Sequence, residues 1–168
     1  MARRGQTIAS PKIGQEITFL RTAQDTDGEL LELEARLDPG SRIIQHVHLH
    51  QDERFEVLEG RLSFWVGGEK VVRGPGEQVE IPAGTRHRVR NEGAEPVRAR
   101  AQLRPALRAE DVFEAFFTLG SQGRVNRFGA PSPRQTARLA RRHPDDFFYL
   151  GRIPPGVQRA FLLPFSLL

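Results

Sequence analysis

Gly40-Ser41-Arg42-Ile43-Ile44-Gln45-His46-Val47-His48-Leu49-His50-Gln51-Asp52-Glu53-Arg54-Phe55-Glu56-Val57-Leu58-Glu59-Gly60 holds three of the chain's five histidines and reads as two strands joined by a bend. Side chains on a strand alternate between faces, so His46 and His48 point the same way. Ile44 is expected on that face, with Gln45 and Val47 on the other. Two imidazoles two residues apart on one strand face can meet one ion. Glu53 opens the next strand after a bend at Gln51-Asp52, and Phe55 and Val57 share its face. An ionised carboxylate among apolar side chains is costly unless it is paired, and a metal ion would supply the partner.

The same texture extends outward on both sides. Glu16 to Leu20 and Leu31 to Leu37 alternate polar and apolar residues, the period-2 signal of a half-buried strand. Downstream, Arg61 to Val66, Lys70 to Arg73, Gln78 to Ile81, Arg86 to Arg90 and Val97 to Leu103 are short runs of the same kind. Gly67-Gly68, Gly74-Pro75-Gly76 and Pro82-Ala83-Gly84 punctuate them as turns. Many short strands at this spacing predict an all-β sandwich or barrel over residues 16–104. Residues 1–15 read as an N-terminal arm.

Residues 105–168 read as a helical extension packed on the barrel or on a partner subunit. Ala109 to Leu119 places Val112, Phe113, Phe116, Phe117 and Leu119 at helical spacing, with acids in the first turn. Ser132-Pro133 is an N-cap and first-turn pair for a second helix through about Arg142. A third helical run is expected from Pro154-Pro155 to Pro164. Nothing there resembles a helix-turn-helix.

Composition narrows the function classes. The chain has 168 residues, enough for one domain with a core of its own. It has no cysteine, which excludes disulfides and thiolate metal sites and suits a cytoplasmic setting. The N-terminus lacks the apolar run of a signal peptide. The longest apolar stretch, Ala160 to Leu168, is interrupted by Pro164 and is too short to span a bilayer. The net charge of +4 comes almost wholly from arginine, with acids interspersed and no aromatic-plus-basic module, so nucleic acid is not expected as a partner.

A second stretch makes the pattern specific. Gly76-x5-Pro82-x-Gly84-x2-His87-x3-Asn91 follows the first, Gly40-x5-His46-x-His48-x4-Glu53-x6-Gly60. Position for position, these two strings resemble the two sequence motifs of the cupin superfamily. The resemblance implies a mostly β fold, a double-stranded β-helix (cupin or jelly-roll) barrel, here with C-terminal α-helices. It implies His46, His48, Glu53 and His87 as ligands of one divalent transition metal. Three imidazoles and a carboxylate suit Fe, Mn, Ni, Co, Cu or Zn. On an ion that prefers six ligands, two positions remain for water, O₂ or a bidentate substrate. Glu53 is also a candidate general base.

The inner face offers Phe19, Ile44, Phe55, Val57 and Ile81 as the wall of a substrate pocket. The expected activity is that of a dioxygenase on a small aromatic or enolic compound. A metal-dependent isomerase or lyase, or a non-catalytic module binding a metal or small molecule, are the other classes the resemblance allows. Parity sends Arg86, Arg88 and Arg90 outward if His87 faces in. His50 is expected to be exposed or to support the ligands from behind. Phe64 and Trp65 fall on opposite faces. By analogy with cupin relatives a homodimer is expected, with Val47, Leu49 and Trp65 as an apolar outer patch.

Overall fold

A computed structural model describes residues 2–126, 129–143, 149–150, 154, 156–158 and 160. Among the described residues, eleven strands lie in two sheets. They are β1 (Thr7–Ser10), β2 (Gln15–Arg21), β3 (Leu31–Leu37), β4 (Arg42–Val47), β5 (Asp52–Glu59), β6 (Leu62–Val66), β7 (Glu69–Arg73), β8 (Gln78–Ile81), β9 (His87–Arg90), β10 (Val97–Arg104) and β11 (Tyr149–Leu150). One sheet runs β1-β2-β3-β10-β5-β8 and the other β11-β4-β9-β6-β7. The two face each other as the halves of a double-stranded β-helix, with helices α1 (Ala109–Ser121) and α2 (Pro133–Arg142) at the C-terminal end.

Alternation builds the core. In β3, Leu31, Leu33, Ala35 and Leu37 are buried while Arg36 is exposed. In β10, Val97, Ala99, Ala101 and Leu103 turn inward, and their neighbours Arg98, Arg100, Gln102 and Arg104 are charged or polar. These side chains join Phe19, Phe55, Leu62, Phe64 and Val89 in one hydrophobic cluster between the sheets. Outside, Arg98 bridges Glu34 and Glu59 across three strands. Arg86, Arg88 and Arg90 are exposed, and Arg88 stacks 4.0 Å from the Trp65 ring centre.

Three expectations change. The N-terminal arm contains an edge strand: Thr7–Ser10 pairs with β2, placing Ile8 opposite Ile17. A four-residue run with one strong β-former is too weak a signal to stand out alone. The apolar patch of Val47 and Leu49 is not open for a second subunit. It is covered from within the chain, where these residues pack with Ala115, Phe116 and Leu119 of α1 and Leu139 and Ala140 of α2. The β4–β9 register shifts between Ile43 and His46, so β4 carries an extra residue there. Ile43 thus packs toward the core, and strict parity with His46 does not hold through Ile44. Of the third helical run, Gly156 to Gln158 and Ala160 are helical; its end at Phe161 to Pro164 lies outside the described residues.

Candidate metal centre

Strand ends and turns bring His46, His48, Glu53 and His87 together. His46 is on β4 directly opposite His87 on β9, so the two rings are cross-strand neighbours with centres 4.1 Å apart. Glu53 reaches in from β5 of the other sheet. His48 stands in the bend between β4 and β5. That bend is pinned at both ends. The Gly84 amide donates to the His48 carbonyl at 2.7 Å, and the Ala83 amide to Asp52 Oδ1 at 2.8 Å. Gln51 Nε2 donates to the carbonyls of Pro105 and Ala106 at 2.9 and 3.0 Å. The motif glycines 40, 60, 76 and 84 all have φ between +76° and +81°, which is why a glycine stands at each turn. Asn91 closes the second motif as a structural tie, donating from Nδ2 to the carbonyls of Leu37 and Glu95.

One ligand atom from each of the four residues lies within 4.8 Å of the others, and all four side chains are buried. His46 Nδ1 is 2.8 Å from the Ile44 carbonyl, and His87 Nδ1 is 3.1 Å from that of Thr85. These acceptors assign the proton to Nδ1 in each neutral ring and aim the Nε2 lone pairs inward. There His46 Nε2 meets His48 Nε2 at 3.1 Å, and His87 Nε2 meets Glu53 Oε2 at 2.8 Å. The last two atoms lie close without the geometry of a hydrogen bond. Lone pairs gathered this tightly, with two polar atoms so left, fit a cation at their centre.

The electrostatics agree. Burial holds the His46 imidazole well below its ordinary value, reinforced by the nearby His87 and His48 rings. Burial also lowers His48, although Glu53 pulls the other way. At His87, burial works downward, but the carboxylate of Glu53 in close contact outweighs it and the value is raised. At Glu53 burial works upward and is outweighed by His87 and His48, so the carboxyl is lowered. The set is therefore a carboxylate with His46 and His48 held neutral, the ligand form that divalent metals require, while His87 keeps a proton that a bound cation would displace.

A cavity of about 120 Å³ opens beside the cluster, reaching His46, His48 and Glu53. Ile44 and Phe55 line it. Phe19, Val57 and Ile81 do not; they are at most 2% exposed and fill the closed core, because strand alternation marks the inner face without separating core from cavity. Sequence reasoning packed α1 on the barrel without assigning it to the pocket, whose opposite wall is formed by Phe113, Phe116 and Phe117. It also missed Gln51, read only as part of a bend, whose burial at 2% marks it as the anchor of the segment between two ligands. His50 is exposed. No helix among the described residues is long and apolar enough to cross a membrane.

A family model described as "Cupin domain" matches residues 33–101. Quercetin 2,3-dioxygenase of Bacillus subtilis is 32% identical over 78 residues, 46% of this chain and 23% of that enzyme. Tetracenomycin polyketide synthase protein TcmJ of Streptomyces glaucescens is 35% identical over 80 residues, 48% of this chain and 52% of that protein. Polyketide synthase CurC of Streptomyces cyaneus is 38% identical over 71 residues, 42% and 46% of the two chains. The chain thus spans about half the length, or less, of the curated relatives it matches. Among solved structures, a predicted oxalate decarboxylase of Thermotoga maritima superposes with a TM-score of 0.53 at 20% identity, covering 58% of this chain and 97% of that one. An RmlC-like cupin of Shewanella frigidimarina gives 0.51 at 20% identity, with 57% and 80% covered. At such identities these structures speak to fold alone. Motif spacing, strand order and family model converge on the same stretch of chain, which belongs to the cupin superfamily.

Proposed function

We infer that this protein is a metal-dependent cupin dioxygenase acting on a small aromatic or enolic compound. The observation that carries the reading is the buried His46–His48–Glu53–His87 cluster opening directly into an apolar cavity walled by phenylalanines. A divalent ion held by these four residues would act as a Lewis acid toward a substrate oxygen and admit dioxygen chemistry. The chain's own residues do the rest. Phe55 on one side and Phe113, Phe116 and Phe117 on the other offer flat apolar surfaces to a ring, and the lining is mostly apolar, with Gln15, Glu16, Arg36 and Arg42 also contributing to it. Glu53 reaches the cavity and is held ionised by its imidazole neighbours, the state a proton acceptor needs. The likeness to quercetin 2,3-dioxygenase supports oxygenase chemistry, and the two polyketide proteins support an aromatic or enolic substrate class.

The test is elemental analysis of protein purified without a metal-affinity step, followed by O₂ uptake with catechols and β-diketones. One equivalent of a transition metal and uptake that Glu53→Gln abolishes while metal stays bound would support the reading. Full uptake in Glu53→Gln with metal bound would remove Glu53 as the base. Metal without uptake on any enolic compound would favour a non-catalytic binding module.

A further inference from the structure

The family-matched segment ends at residue 101, but the cavity beside the ligand cluster does not. Its far wall comes from Phe113, Phe116, Phe117 and Gly120 of α1. These positions follow the i, i+3, i+4, i+7 spacing of one helix face. Such a stripe normally disappears into a core. Here Phe113 and Phe116 remain half-buried, bordering open space.

Gly120 explains how closely the helix approaches. A glycine inside a helix is disfavoured relative to alanine. This one has a steric reason: a Cβ there would stand 2.1 Å from Ser10 Oγ and 2.9 Å from Ser10 Cβ. Ser10 ends β1 and is fully buried. Rotating its hydroxyl would relieve the first contact and not the second, because ordinary carbon contacts begin near about 3.5 Å. The α1 backbone therefore rests directly on β1, and that contact fixes the spacing between the phenylalanine face and the ligand cluster.

The space left is small. About 120 Å³ is below the range of about 300–1,000 Å³ usual for drug-sized ligands, and an apolar cavity of about 150 Å³ takes up one benzene. We propose that α1, seated by the contact of Gly120 with Ser10, is the size-selecting wall of this pocket, which accepts a single ring bearing two adjacent oxygens and rejects fused-ring analogues. The inference rests on the metal-pocket reading above and adds to it the size of the substrate and the element that sets it.

The experiment uses the Co(II)-loaded protein, with cobalt absorption as the readout, titrated with catechol and with 2,3-dihydroxynaphthalene. The wild type is expected to bind catechol about tenfold more tightly or better, the penalty of forcing a second ring into a packed site. Phe113→Ala, which opens the wall, and Gly120→Ala, which lifts the helix, should each reduce that preference at least about fivefold. Adding Ser10→Gly to Gly120→Ala should restore it, which general loss of structure would not do. Equal binding of both diols by the wild type, or a preference unchanged in Phe113→Ala and Gly120→Ala, overturns the proposal while leaving the metal pocket standing. If cobalt binds but neither diol alters its spectrum, the pocket reading falls and this inference with it. Should Gly120→Ala not fold, Phe113→Ala and the Ser10→Gly/Gly120→Ala pair decide the matter.

Discussion

Glu53 and His87 set each other's charge across 2.8 Å. The carboxylate raises His87 against the effect of burial, and the imidazoles lower Glu53 against the same effect. The signs give a pH window for the metal-free protein. A histidine raised above its ordinary 6.5 contributes stability that is complete below that value and is lost as pH rises through the folded-state pKa. A carboxyl lowered below its ordinary 4.5 contributes stability above that value and loses it as pH falls through its folded-state pKa. The pair therefore contributes most between the two ordinary values. Glu53→Gln removes the charge that raises His87 and leaves the burial. The imidazole should then titrate below its ordinary value in metal-free protein, as followed by NMR of the ring carbons. A value still raised would show that Glu53 is not its partner. Gly60 has φ +81°, and a Cβ there would stand 2.9 Å from Val97 Cγ2. Gly60→Ala combines left-handed strain with a clash against buried Val97 and should cost about 2–4 kcal/mol in denaturant unfolding.

The strands were legible in the sequence wherever one face is buried and the other wet. In β3 and β10 the hydropathy pattern is the structure, because each inward residue has an outward charged or polar neighbour. The ligand cluster was legible because His46 near the end of one strand, His48 two residues on and the motif of a later strand can converge only if all face the barrel interior. What escaped depends on long-range packing. The extra residue in β4 has no local signature, since Ile43 and Ile44 are equally apolar. Whether Val47 and Leu49 meet solvent, a partner or the chain's own helices depends on where α1 and α2 return. α1 itself is tied down by Glu110, a buried acid that accepts the Ala23 amide at 3.1 Å. Burial raises its pKa, outweighing that hydrogen bond, with help from Asp111 and Glu114. The sign is then opposite to that of Glu53. Between its ordinary 4.5 and its folded-state value the folded chain binds the extra proton, so stability is lost as pH rises through that window. Glu110→Gln keeps an acceptor for Ala23 without the charge. It should raise the melting temperature at neutral pH and leave it nearly unchanged below about pH 4. A loss at neutral pH would mean that the ionised carboxylate is the stabilising form.

The four ligand side chains do not belong to one sheet. His46 and His87 stand on the five-stranded sheet, Glu53 on the six-stranded sheet, and His48 in the bend that carries the chain from one to the other. An ion among them would join the two halves of the barrel at their interior, where unfolding must separate them. Its binding free energy is then folding free energy, because the unfolded chain cannot reassemble a site drawn from three separate segments. At a free metal concentration about a thousandfold above the dissociation constant, the gain is about 4 kcal/mol. For a domain of this size, each kcal/mol moves the melting temperature by about 2–4 °C. Removing the metal with a strong chelator should therefore lower the transition by about 8–16 °C, and restoring it should recover the loss. In a His46→Ala/His87→Ala double variant the same chelator should produce no shift. A protein shown to contain one equivalent of metal, whose melting temperature stays put when that metal is stripped, would place the ion somewhere other than between the sheets.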